Sequence, residues 1–352
     1  MGTVRQLAIT IEEGLRAALP TLRKTVVTKW ALAVGALLEA QTPNTVDLAK
    51  VLPLETERQD MREQWLRRLL KNPLLSSAEG LEPWASQALA AAGQHGETII
   101  LSMDQTDLGD WFAILMIGLG VGDRALPLAW TVEAGPANLG FAAQKVLLER
   151  VRPWLPAGAE VLLSADRFYP CVELFLWLHA QPGWRDRLRL KGNLNVDPGF
   201  GDIVTTGELA AGQTERYLPT VRLFDHGVST HLAIWHEGGH PQPWVIAMKD
   251  SPNRATVRDD AGRWRIEPMF SDFKSRGFQR EDTRLRAADR LDRLLVIIAL
   301  AMHGCVRVGQ EDACDHPMPL EKKLKSKQTP TIGPLKNWLE CRVLVQTRFT
   351  RT

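Results

Sequence analysis

A chain of 352 residues, 45% hydrophobic and 24% charged, is long enough for a large buried core and has the composition of an ordinary globular protein. Its formal charge of +2 permits a polyanionic partner without requiring one. Its longest aliphatic run, LLVIIALAM at 294–302, is too short to span a bilayer, so no membrane partner is expected. Cys171, Cys305, Cys314 and Cys341 are too sparse for a disulfide framework and fit a reducing compartment. Glu12 and Glu13 stand where a secretory signal needs its apolar core, which points to the cytoplasm.

Residues 1–95 show helical periodicity broken at Pro20, Pro43, Pro53 and Pro73, predicting a helical N-terminal region of four or five helices. Within it, DMREQWLRRLLKN (60–72) sets Trp65, Leu66, Leu69 and Leu70 against Arg62, Arg67, Arg68 and Lys71. A basic helix of this kind suits either solvent or phosphates.

The pattern changes after Glu97. TIILSMDQTD, WFAILMIGLGV and ALPLAWTVEAG read as three strands, the last two joined in a hairpin. A helix at 139–152, the strand EVLLSADR, the helix PCVELFLWLHAQ and the strand RLRLKG follow. This order predicts an α/β fold with a mixed sheet, compatible with a ribonuclease-H-like arrangement. From about 193 to 249 the chain turns rich in Gly, Thr, Val and His, a β-rich insertion in a domain spanning 96–305. The spacing of His226, His231, His236 and His240 within it matches no zinc motif. Residues 306–352, with KKLKSK at 322–327, form a basic C-terminal region.

Three carboxylates draw attention. Asp104 is expected at the C-terminal end of the first strand and Asp166 at the end of a neighbouring one, where functional loops gather. Glu267 lies in RWRIEPMFSDFKSRGF (263–278), whose Ile266, Met269, Phe270 and Phe273 predict the seated face of a helix. Lys274 falls within about 20° of Glu267 on that helix, and Pro268 places the helix start near Glu267, with Arg263 in a preceding loop. Three carboxylates at one sheet edge suit Mg or Mn, with two ions able to share them for in-line phosphodiester transfer. Arg263 and Lys274 would hold the phosphates that the acids repel.

The residues LSMDQTD, LLSADRFYP and Asp260-x2-Arg263-x3-Glu267-x6-Lys274 resemble the DDE transposases of bacterial insertion sequences. The resemblance is to the branch with a β-rich insertion subdomain and the signature Tyr-x2-Arg-x3-Glu-x6-Lys. It implies Asp104, Asp166 and Glu267 as catalytic metal ligands, with Arg263, Lys274 and Arg189 at DNA. It further implies double-stranded DNA with terminal inverted repeats, target DNA, and a homodimer in a synaptic complex in the bacterial nucleoid. The N-terminal region would help recognise the ends. An inactive DNA-binding descendant and a metal-dependent nuclease are the alternatives. One position departs from the signature: Asp260 stands where Tyr is expected, and an acid there can neither stack nor attract a phosphate.

Overall fold

The computed structural model describes residues 3–75, 77–122, 124–225, 227–271, 273, 283 and 285–315. Lys274, His226 and the stretch 322–327 lie outside them. Five helices fill the N-terminal region: α1 (Thr3–Ala18), α2 (Lys24–Ala40), α3 (Thr45–Val51), α4 (Gln59–Lys71) and α5 (Ser77–Ala92). Pro20, Pro43, Pro53 and Pro73 each fall between two of them, where a missing amide costs the ladder nothing, whereas Pro83 stands inside α5 and forgoes one ladder bond. On α4, Leu66, Leu69 and Leu70 are buried, while Arg67 pairs with Glu63 at 2.9 Å on the outer side.

The long helix at the end of the described chain is buried along residues 294–302 and packs on α2, α4, α5 and the sheet. Arg293 in it donates to the Leu70 carbonyl at 2.8 Å, satisfying an orphan acceptor at the end of α4. Helical region and sheet thereby share one core. No described helix is long and apolar enough to cross a membrane.

The sheet begins with β1 (Ile99–Leu108), β2 (Phe112–Val121) and β3 (Arg124–Ala134), an antiparallel meander. After α6 (Phe141–Val151), β4 (Val161–Ala165) returns parallel to β1. After α7 (Val172–Ala180), β5 (Trp184–Arg189) lies parallel to β4. The insertion carries β6 (Asn195–Asp197), β7 (Val204–Thr205), α8 (Thr206–Ala210), β8 (Glu215–Leu223), β9 (Val228–Trp235) and β10 (Trp244–Met248).

These inserted strands do not form a sheet of their own. β10 pairs antiparallel with β5, and the ten strands make one sheet in the order β3-β2-β1-β4-β5-β10-β9-β8-β6-β7. The open edge of β5 explains this, because an unpaired edge strand offers a row of backbone donors and acceptors that β10 satisfies. The chain then enters α9 (Arg254–Asp259), a 3-10 helix (Asp260–Arg265), α10 (Ile266–Ser271) and α11 (Ala288–Asp315), the long helix described above.

Candidate active site

Parallel pairing fixes the first two carboxylates. The β1–β4 register runs from Ile99 opposite Val161 to Met103 opposite Ala165, so Asp104 and Asp166 are the next residues on adjacent strands. Side chains alternate along a strand, so both share the face of Ser102 and Ser164, which are themselves register partners. The β4–β5 register extends the row: Ser164 opposes Arg187, and one step on Asp166 neighbours Arg189. Asp104 is not at a strand end, as the sequence suggested. β1 continues to Leu108 because its antiparallel pairing with β2 persists from Asp104 opposite Met116 to Leu108 opposite Phe112.

Over this face lies the segment carrying Glu267. Arg263 belongs to a 3-10 helix and not to a loop. That tighter winding leads into α10, where Pro268, lacking an amide, occupies the first turn. Small residues let the segment approach. A Cβ added to Gly262 would stand 3.3 Å from Ile100 Cγ2, and one on Gly120 would stand 3.2 Å from Arg265 Cδ. Ile266, Met269 and Phe273 are fully buried and Phe270 nearly so, seating the helix as the spacing predicts. Glu267 is left at the rim, its side chain about half exposed (48%).

Hydrogen bonds orient Asp104. Its Oδ1 accepts from the Gln105 amide at 2.9 Å and from the Tyr169 hydroxyl at 3.0 Å, leaving Oδ2 free of both. Gln105 in turn donates to the Ala137 carbonyl at 2.8 Å and to Asp107 at 3.0 Å, tying down the loop beyond β3. Burial raises the Asp104 pKa, opposed by those two hydrogen bonds and the Arg263 charge and aided by Asp166. Burial raises Glu267 as well; Arg263 opposes the shift, and both aspartates add to it. The three carboxylates therefore share one field. Arg263 is buried and sits 3.9 Å from the Glu267 carboxylate, a loose pair, with its guanidinium 4.6 Å from the Trp264 ring centre.

Arg189, expected at DNA, has its guanidinium committed inside the protein. Its Nε and Nη2 both stand 2.8 Å from Asp260 Oδ2, and the group lies 3.7 Å above the Trp244 ring. Asp260 is 1% exposed and Arg189 8%. The departure at Asp260 thus has a counterpart: the acid faces a buried arginine across the sheet face and not open solvent. Burial still raises Asp260, with Arg189 opposing the rise.

Tyr169 and the Asp260–Arg189 pair escaped the sequence reading. The one signal for the pair is the alternation of Arg185, Arg187 and Arg189 in β5, which directs three cations to the face of Asp166. Arg187 is likewise buried and bonded to Asp250 at 2.9 Å and Asp259 at 3.2 Å. Among the described residues, no three His, Cys, Asp or Glu side chains converge closely enough to enclose a cation. His231 and His236 make hydrogen bonds to backbone, to the Thr220 amide and the His240 carbonyl.

No match was found among curated proteins. The family model described as "Transposase DDE domain" matches residues 106–302, which is more than half of the chain. The matched stretch starts two residues after Asp104 and takes in Asp166, Glu267 and the whole inserted part of the sheet. By that match the chain belongs to the family of transposases with a DDE domain.

Proposed function

We propose that this chain is a ribonuclease-H-like, divalent-metal-dependent DNA transposase that cuts phosphodiester bonds at transposon ends and joins the freed 3′ hydroxyl to target DNA. One observation carries the reading: Asp104 and Asp166 are register neighbours on adjacent parallel strands, beneath a segment that brings Glu267 into their field. The order β3-β2-β1-β4-β5, with only β2 of these five running against the others, supports the ribonuclease-H-like part.

The donor set fits Mg or Mn. All three groups offer hard oxygens, Asp104 keeps Oδ2 free of its two orienting bonds, and Glu267 is exposed enough to turn away from Arg263. Asp104, Asp166 and Glu267 would hold the metal, two ions in this reading. Such ions supply Lewis-acid activation of a water or 3′ hydroxyl and charge for the leaving oxygen. The chain's own residues do the rest. Tyr169 and the Gln105 amide fix the Asp104 carboxylate, and Arg263, once released by Glu267, faces the incoming phosphate as a charge-assisted donor. Lys274 has the same phosphate role in this reading, and Arg189 acts on the DNA site through its charge beside Asp166. The partners are double-stranded DNA with terminal inverted repeats and target DNA, engaged by a homodimer.

The test combines the purified chain, Mg or Mn, and DNA bearing the inverted repeats that flank its gene. Cutting and joining are expected, and Asp104→Asn, Asp166→Asn or Glu267→Gln should each lower the rate by more than about 100-fold. End-specific binding without any metal-dependent cleavage would identify a DNA-binding descendant, and cleavage without joining a nuclease. Full activity in any one of the three variants would remove that residue from the metal site.

A further inference from the structure

Immediately after Asp166 the chain makes a tight turn, closed by the Tyr169 amide donating to the Asp166 carbonyl at 3.2 Å. Arg167 and Phe168 occupy its tip. The turn is fixed from below, because Tyr169 is buried, its hydroxyl holds Asp104, and Pro170 restricts the next φ. Yet Phe168 is 62% exposed, the most exposed large apolar side chain among the described residues. Two cations attend its ring: Arg167 at 5.7 Å and Lys191 at 4.9 Å from the centre. Both are exposed, and neither pairs with a carboxylate among the described residues. Lys191 comes from the turn after β5, so the patch is built by two strand ends flanking Asp166.

An exposed aromatic ring on a fixed turn, attended by two cations without a carboxylate partner among the described residues, matches single-stranded nucleic acid, which offers a π-face and a phosphate at every step. Two residues of chain separate their Cα atoms by at most about 7 Å, so the turn that carries Phe168 borders the place where Asp166 would meet a phosphate. We propose that Phe168 stacks on an unpaired base next to the scissile phosphate, and that Arg167 and Lys191 bind the phosphates on either side. The patch is thereby a reader of opened DNA ends. The proposal rests on the transposase reading for its choice of substrate.

The test uses the full chain and its own inverted-repeat ends, either fully paired or carrying unpaired nucleotides at the cleavage position. Binding is measured by fluorescence anisotropy without added metal. Phe168→Ala should weaken binding to the unpaired end by about 5- to 150-fold and leave binding to internal duplex within about 2-fold. Phe168→Tyr should restore it. Arg167→Gln with Lys191→Gln should make the plot of log affinity against log salt shallower by about 0.7 per lost contact on single strands. Equal affinity of wild type and Phe168→Ala for the unpaired end overturns the proposal. So does an equal loss on paired and unpaired DNA without rescue by Tyr. A metal-supplemented cleavage assay of the wild type separates the two readings: absent cleavage with the expected binding pattern sinks the transposase activity and keeps the stacking contact.

Discussion

Asp260→Leu would leave the Arg189 guanidinium at the bottom of the site without its carboxylate. With Asp260 1% exposed and Arg189 8%, water cannot replace the lost partner. Breaking a buried pair from one side costs about 3–5 kcal/mol. The Trp244 ring, 3.7 Å from the guanidinium, still offers a cation–π contact, which holds the cost near about 3 kcal/mol. Because helical region and sheet share one core, the melting unit is roughly 300 residues, and at about 2.1 cal/mol/K per residue this cost lowers Tm by about 5 °C. Differential scanning calorimetry of the metal-free chain measures it. A second variant, Asp260→Leu with Arg189→Met, replaces the pair by apolar groups and should regain most of the loss. Asp260→Tyr, which restores the residue of the signature, should be as destabilised as Asp260→Leu, because a phenol must fit a buried position and Arg189 is again unpaired. A single variant melting within about 1 °C of wild type would refute the reasoning, as would a double variant no more stable than the single one.

Tyr169→Phe removes one of the two bonds on Asp104 Oδ1 and should weaken Mn binding by about 10- to 100-fold in a direct titration. The metal-free melting temperature should stay within a few degrees, and unchanged Mn affinity would show that the Gln105 amide alone orients the carboxylate. Asp186 supplies a pH prediction. It is fully buried on β5, 3.9 Å from His179 Nε2, with Arg187, Lys249 and Asp250 also in its field, and burial pushes its pKa up to about 7. Because the folded value lies above the unfolded one, the stability linked to its proton is fully present below about pH 4 and is lost as pH rises through about 7. Relative to Asp186→Asn, the wild type should lose a few kcal/mol between pH 5 and pH 8 in urea titrations. Parallel curves for the two proteins would contradict the assignment.

Local pattern carried the elements well. The proline breaks marked the N-terminal helices, and the apolar spacing from Ile266 to Phe273 gave the buried face of the helix bearing Glu267. Asp166 was legible as the acid just past the end of one strand, and Asp104 as an acid in the strand that pairs beside it. What escaped was decided by partners distant in sequence. β1 runs past Asp104 because β2 continues to pair with it, and the insertion joins the sheet because β5 lacked a neighbour. Asp260 was legible as a departure but not as an answer to Arg189, which is 71 positions away. Tyr169 carried no signal of its own, and its hydroxyl finds Asp104 only once β1 and β4 lie side by side.

The pairing of Ile246 with Arg189 has a mechanical consequence. A load applied to the β8–β9 hairpin passes through backbone hydrogen bonds into β10 and then into the strand beside Asp166. The inserted half of the sheet is thereby tied to the strand beside Asp166 at two register positions, Ile246 with Arg189 and Ala247 with Leu188. The stretch from Asp260 to Ser271, which carries Arg263 and Glu267, lies on the sheet without joining its ladder, so it has no such backbone path to the hairpin.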